Sequence, residues 1–173
     1  MAAGLCAMMC SANEVVTLAA KAARGGGAPP AQATAFGKAA LSHLGAGCAA
    51  EDIAAALDGL PDGPVLALPL RLATVLEKNS GEIVDHMISP GPFAALELSY
   101  CYAKRFAVTG KTQGTDIHVR MYINQPTKPP PMPRVAVPDE LITKMQQLAA
   151  KTLVPESDAS RISGAGAGLT DND

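Results

Sequence analysis

Thr115-Asp116-Ile117-His118-Val119-Arg120-Met121-Tyr122-Ile123-Asn124 is the stretch that decides the fold class. Ile117, Val119, Met121 and Ile123 alternate with Asp116, His118, Arg120 and Tyr122, the two-residue period of a strand with one buried face and one wet face. A single strand is not stable alone, so this one needs partners. Glu82 to Ile88 reads as one of them. If neither flanking segment pairs with it, a second chain must.

Most of the remaining pattern is helical. Ser11-Ala12-Asn13-Glu14 has the spacing of a capping box, and Val15, Leu18, Ala19, Ala22 and Ala23 recur at helical intervals up to Arg24. Gly25-Gly26-Gly27 then permits a left-handed stop. A second helix opens after Pro29-Pro30, with Phe36, Ala40, His43 and Leu44 on one face, and ends at Gly45. A third runs from Ala50 to Leu57. After the turn cluster Pro61 to Pro64, helical spacing resumes behind Pro69 and continues to Lys78. From Pro92 to Ala107 two periods compete: Phe93, Leu96, Tyr100, Ala103 and Phe106 fit a helix, while Leu98, Tyr100, Tyr102, Phe106 and Val108 fit a strand. The alanines and the Pro-Phe start favour the helix. A polyproline connector, Thr127 to Pro133, precedes a helix opening at Pro138-Asp139-Glu140.

The fold class expected is therefore α+β. One domain spans 1–154, with a helical unit at 11–60 and a mixed part at 64–154 that includes the connector 127–133, and a polar, Gly-rich tail follows at 155–173. The composition fits this division. Of the 173 residues 48% are apolar and 32 are alanine, whereas Trp is absent and Phe and Tyr number three each. Alanine offers little apolar area per residue, so a core built from it depends on close approach of backbones. The alanines gather in the helical segments, and Thr115 to Asn124 has none.

Charge excludes some functions. Fourteen basic residues stand against 16 acidic ones, scattered without a basic face, which argues against a nucleic-acid partner. Met1 to Cys10 is apolar but has no basic leader, and the apolar run Pro64 to Leu76 is interrupted by Arg71 and too short to span a bilayer. The reading is a cytosolic protein without a membrane partner, its thiols Cys6, Cys10, Cys48 and Cys101 reduced. Cys6 and Cys10 would share a helix face, yet no other ligand lies near in sequence. The reading for this N-terminal run is a frayed or oligomer-contacting segment.

Val154-Pro155 through Arg161, followed by Gly164-Ala165-Gly166-Ala167-Gly168-Leu169-Thr170-Asp171-Asn172-Asp173, resembles the close of an uncharacterised bacterial family catalogued as domain of unknown function 3726. Asn13-Glu14 through Lys21-Ala22-Ala23-Arg24-Gly25 resembles that family's opening. Leu153 stands where the family has an aromatic before the Val-Pro step. The resemblance implies no activity.

Five candidate sites follow from the residues. On the wet face of the strand, His118, Arg120 and Tyr122, joined by Arg161 from the tail, could hold an anionic metabolite, with His118 as a general base; the alternative is a solvated outer face. In the tail, Gly164, Gly166, Gly168, Asp171 and Asp173 could dock on a partner or bind a hard cation, or form an unengaged terminus. Cys48 with His43, or Cys101 with His118, could pair thiol and imidazole, against buried thiols and a satisfied core histidine. His86 with Glu82 and Asp85 could contribute to a metal set, although their spacing specifies none. Lys128 to Pro133 is either a ligand for an aromatic groove or a spacer. No metal or cofactor is predicted. The leading reading is a non-catalytic accessory subunit that self-associates as a homo-oligomer or docks on an enzyme; the alternative is a small-molecule-binding protein or enzyme that holds an anionic metabolite on the polar face of 116–124.

Overall fold

The structure, a computed structural model, describes residues 6–128 and 133–152. Its elements run β1 (Ala7–Cys10), α1 (Ala12–Gly25), α2 (Pro30–Gly45), α3 (Ala50–Asp58), α4 (Pro64–Lys78), β2 (Ile83–Ile88), α5 (Ala94–Tyr102), β3 (Phe106–Gln113), β4 (Asp116–Pro126), β5 (Val135–Pro138) and α6 (Asp139–Ala150). This is an α+β fold. β2, β4 and β3 form an antiparallel sheet with β4 in the centre, and β1 pairs with β5 in a second, two-stranded sheet.

Local chemistry sets the helix boundaries. At the start of α1 the Glu14 N–H donates to Ser11 Oγ at 3.3 Å and the Ser11 N–H donates to Glu14 Oε2 at 2.6 Å, so the capping box closes in both directions. At its end Gly27 takes a φ of 100°, which lets the Ala28 N–H reach back to the Ala23 carbonyl at 2.9 Å. Pro30 opens α2, where its missing N–H has no partner to lose.

Small residues fix how the helices cross. α1 buries Val15, Ala19, Ala22 and Ala23, while α2 buries Ala33, Phe36, Gly37, Ala39, Ala40, His43 and Leu44. A Cβ placed on Gly37 would lie 2.5 Å from the Val16 carbonyl oxygen, and one on Gly25 would lie 1.7 Å from that of Leu148 in α6. Backbone therefore meets backbone on both sides of α1. The buried side chains of all six helices and both sheets join in a single core, to which the sheet adds Val84, Ile88, Val119 and Met121.

Three expectations are corrected. Ala7–Cys10 is not a frayed end: it pairs with β5, and the Arg134 guanidinium donates to the Met9 carbonyl at 3.1 and 2.8 Å. The Cys6 and Cys10 helix face therefore does not exist. α4 begins at Pro64 rather than behind Pro69. Pro69 forgoes the bond its N–H would make to the Val65 carbonyl, and buried Val65, Leu68 and Leu72 hold the two halves of the helix on one side. The ambiguous stretch is helix and then strand: helical phasing holds through α5 and alternation begins at Phe106. Val135–Pro138, for which the sequence predicts no element, is a further strand.

We expect Gly37→Val to destabilise the protein by about 2–4 kcal/mol, through overpacking of a backbone-to-backbone contact. Chemical denaturation should show a lower midpoint with an unchanged slope.

Candidate functional site

β4 carries its polar residues on one face, and register places the neighbouring strands' outward residues beside them. Asp85 of β2 and Thr109 of β3 flank Arg120, Met87 and Lys111 flank His118, and Ile83 and Ala107 flank Tyr122. Asp85 is the hub. Its Oδ1 accepts from Arg120 Nε and lies against His118 Nε2, both at 2.9 Å. The Arg120 guanidinium hydrogen-bonded to Asp85 holds that carboxyl below its ordinary range, with His118 adding to the effect. Arg120 is raised in turn, first by the bond to Asp85 and then, to a smaller extent, by Tyr122.

His118, Arg120 and Tyr122 are thus brought together as the sequence suggests. The position an incoming anion would take between Arg120 and His118 is, however, already filled by Asp85. Asp116 and Asn124 lie towards opposite ends of the strand. Arg161, Gly164, Gly166, Gly168, Asp171 and Asp173 lie outside the described residues.

The other face of the sheet turns inward. His86, one residue after Asp85, projects to the opposite side, where its Nε2 sits 2.9 Å from Glu97 Oε1. Arg71 Nη1 donates to the other carboxylate oxygen at 2.9 Å, so Glu97, only 8% exposed, is held from both sides. His86 and Asp85 therefore cannot converge on one ion. Among the described residues no three His, Cys, Asp or Glu side chains converge as a metal site requires.

A second buried histidine joins three helices. His43 Nδ1 lies 3.1 Å from Ser99 Oγ, and its Nε2 lies 3.0 Å from the Ala49 carbonyl and 3.3 Å from Asp52 Oδ2. The residue types are those of a serine hydrolase relay, but His43 is fully buried and Ser99 is 4% exposed, with its hydroxyl also 2.8 Å from the Ala95 carbonyl. No substrate reaches this serine. The cluster ties α2 to α3 and α5, and His43 is the satisfied core histidine its apolar helix face suggests.

The thiol pairs do not form. His43's ring is engaged elsewhere, and Cys48 meets that residue only through a backbone bond to its carbonyl. Cys101 is fully buried on α5, and burial together with Glu97 pushes its thiol up to about 12, while His118 faces outward. Cys48, half-buried, is less enclosed than the sequence suggests.

Two grooves lie away from these clusters. One of about 900 Å³ runs between α6 and the ends of α1 and α3, crossed by the Lys144–Asp58 ion pair. The other, about 380 Å³, is bounded by Met8, Cys10, Val15, Leu18, Ile142 and Met145. Compared with family models, curated proteins and solved structures, the chain matches none.

Asp85 and Glu97 left no local signature in the sequence, because their partners come from other elements. The only trace was period: Asp85 falls on the outward phase of β2.

Two outcomes follow. Since the Asp85 carboxyl titrates below its unfolded value, its contribution to stability is present above the ordinary carboxylate range and is lost as pH falls through the depressed value. Arg120→Ala should move the Asp85 midpoint upward, as read by carboxyl NMR titration. Tyr100 Oη is buried without a hydrogen-bond partner. Tyr100→Phe removes that unpaired hydroxyl and should stabilise the fold by about 1 kcal/mol, raising Tm by a few degrees.

Proposed function

We propose that this chain is a non-catalytic interaction subunit which self-associates or docks on an enzyme in the cytosol, and that it belongs with the family its two ends resemble. The observation that carries this reading is the outer face of the β2-β4-β3 sheet. Helices α4 and α5 pack on the sheet's inner side, while Ile83 and Met87 stand 50% and 46% exposed on the outer side, either side of the Asp85 ion pair. Apolar side chains around a fixed charged pair form a surface that can bind and select.

The His43 cluster, whose residue types resemble a catalytic set, is buried and fastens α2 to α3 and α5, while Glu97 fastens α5 to β2 and α4. No helix among the described residues is long and apolar enough to cross a membrane. The tail from 155 onward, with Gly164 to Gly168 and the Asp171–Asp173 end, is proposed as a second docking element. No cofactor is needed for any of these roles.

Affinity capture from the cells that make the protein, alongside light scattering of the pure chain, tests the reading. We expect either a defined oligomer or a stoichiometric partner, lost in Met87→Lys with Tm unchanged. A strict monomer that recovers nothing ends it.

A further inference from the structure

We propose that the outer face of the β2-β4-β3 sheet is a self-complementary dimer surface, its occupant a second copy of this chain seated about a two-fold axis parallel to the strands and between β2 and β4. The proposal rests on the interaction reading above and names the partner for it.

Register supplies the geometry. The two strands present three rows of outward pairs, Ile83 beside Tyr122, Asp85 beside Arg120, and Met87 beside His118. A two-fold rotation about an axis between the strands exchanges the two columns and keeps the rows. Asp85 then faces the partner's Arg120, Ile83 faces the partner's Tyr122 and Met87 faces the partner's His118. Each row meets its complement: a carboxylate meets a guanidinium, an aliphatic side chain an aromatic ring, and a thioether an imidazole.

The ion pair also has unused capacity. Asp85 receives Arg120 Nε and His118 Nε2 on the same oxygen, Oδ1, so its Oδ2 has no partner among the described residues. Arg120 addresses Asp85 through Nε alone, so its terminal amino groups make no hydrogen bond to that carboxylate. A carboxylate and a guanidinium normally meet through two parallel bonds. In the dimer each Oδ2 gains the partner's amino groups, closing a four-membered ring of two carboxylates and two guanidinium groups. Charges held in such a ring are not left unpaired when water is excluded.

The face is small. Strands about 4.8 Å apart and same-face residues about 6.8 Å apart give three rows on the two overlapping strands, β2 and β4, a projected area on the order of 200 Å² per protomer. That is well below a standard interface, so a weak dimer that forms only at high concentration is the expected form.

Sedimentation velocity on the full chain over a range of concentrations, with Asp85→Arg and Arg120→Asp, tests it. Wild type should pass from monomer to dimer. Each variant alone sets like charges face to face and should dissociate at least about 100-fold more readily. Mixed in equal amounts, the two variants become complementary and should form a 1:1 heterodimer, which a folding defect cannot produce. Ile83→Lys and Met87→Lys probe the same face without touching the ion pair and should also hold the protein monomeric. A wild-type monomer at several hundred micromolar overturns the proposal, as does a dimer insensitive to these four substitutions, or two folded charge variants that do not associate. A wild-type monomer that still captures an enzyme from cells overturns the dimer and leaves the interaction reading standing.

Discussion

Everything else in the molecule depends on how closely α1 is approached by α2 and α6. At Gly37 and at Gly25 the neighbouring element comes so near that not even a methyl group fits. Around those two points Ala19, Ala22, Ala23, Ala33 and Ala40 are fully buried, and each brings little area of its own. What such residues offer is proximity: dispersion falls steeply with distance, and close-packed backbones recover contacts that large side chains would otherwise supply. A chain with so few aromatics forms a solid core by this route. Of the Phe and Tyr residues only Phe36 and Tyr100 are buried in the core, and Tyr100 is so with an unsatisfied hydroxyl.

The helices built this way are a platform for the sheet. α5 carries Leu96 and Tyr100 into the core and sets Glu97 between His86 of β2 and Arg71 of α4. A buried carboxylate flanked by two cationic or cation-capable groups is costly to break from either side, and it fixes the rotation of α5 against β2. His43 serves the neighbouring joint, where α2, α3 and α5 meet. Both histidines spend their chemistry on registry. The outer sheet face keeps its side chains free to meet other molecules.

Much of this was legible in the sequence wherever a signal is local. The capping box at Ser11, the Gly stop at Gly27, the proline opening of α2 and the alternation from Asp116 to Ile123 each encode their own element. What was not legible depends on distant partners. β1 offers four residues of no particular period and becomes a strand because Val135–Pro138 lies beside it. β3 loses alternation where Gly110, Lys111, Thr112 and Gln113 follow one another, and β4 is what holds it extended. The candidate site divides along the same line: His118, Arg120 and Tyr122 share a period on one strand, whereas Asp85, which binds Arg120 and lies against His118, is fixed only by the pairing of β2 with β4.

The pairing of β1 with β5 ties Met9 to Arg134 across 125 residues of chain, and α1 is likewise flanked by α6, the helix that follows β5 directly. As the polypeptide leaves the ribosome, α1 and α2 can zip together early, because their contact is short in sequence. The other flank of α1, and the strand just before it, must wait until almost the whole described chain has emerged. Until then an alanine-lined surface stays open to water. Its small side chains make that surface only mildly sticky, so the composition that demands close packing in the finished protein also makes the half-made chain safer to leave exposed.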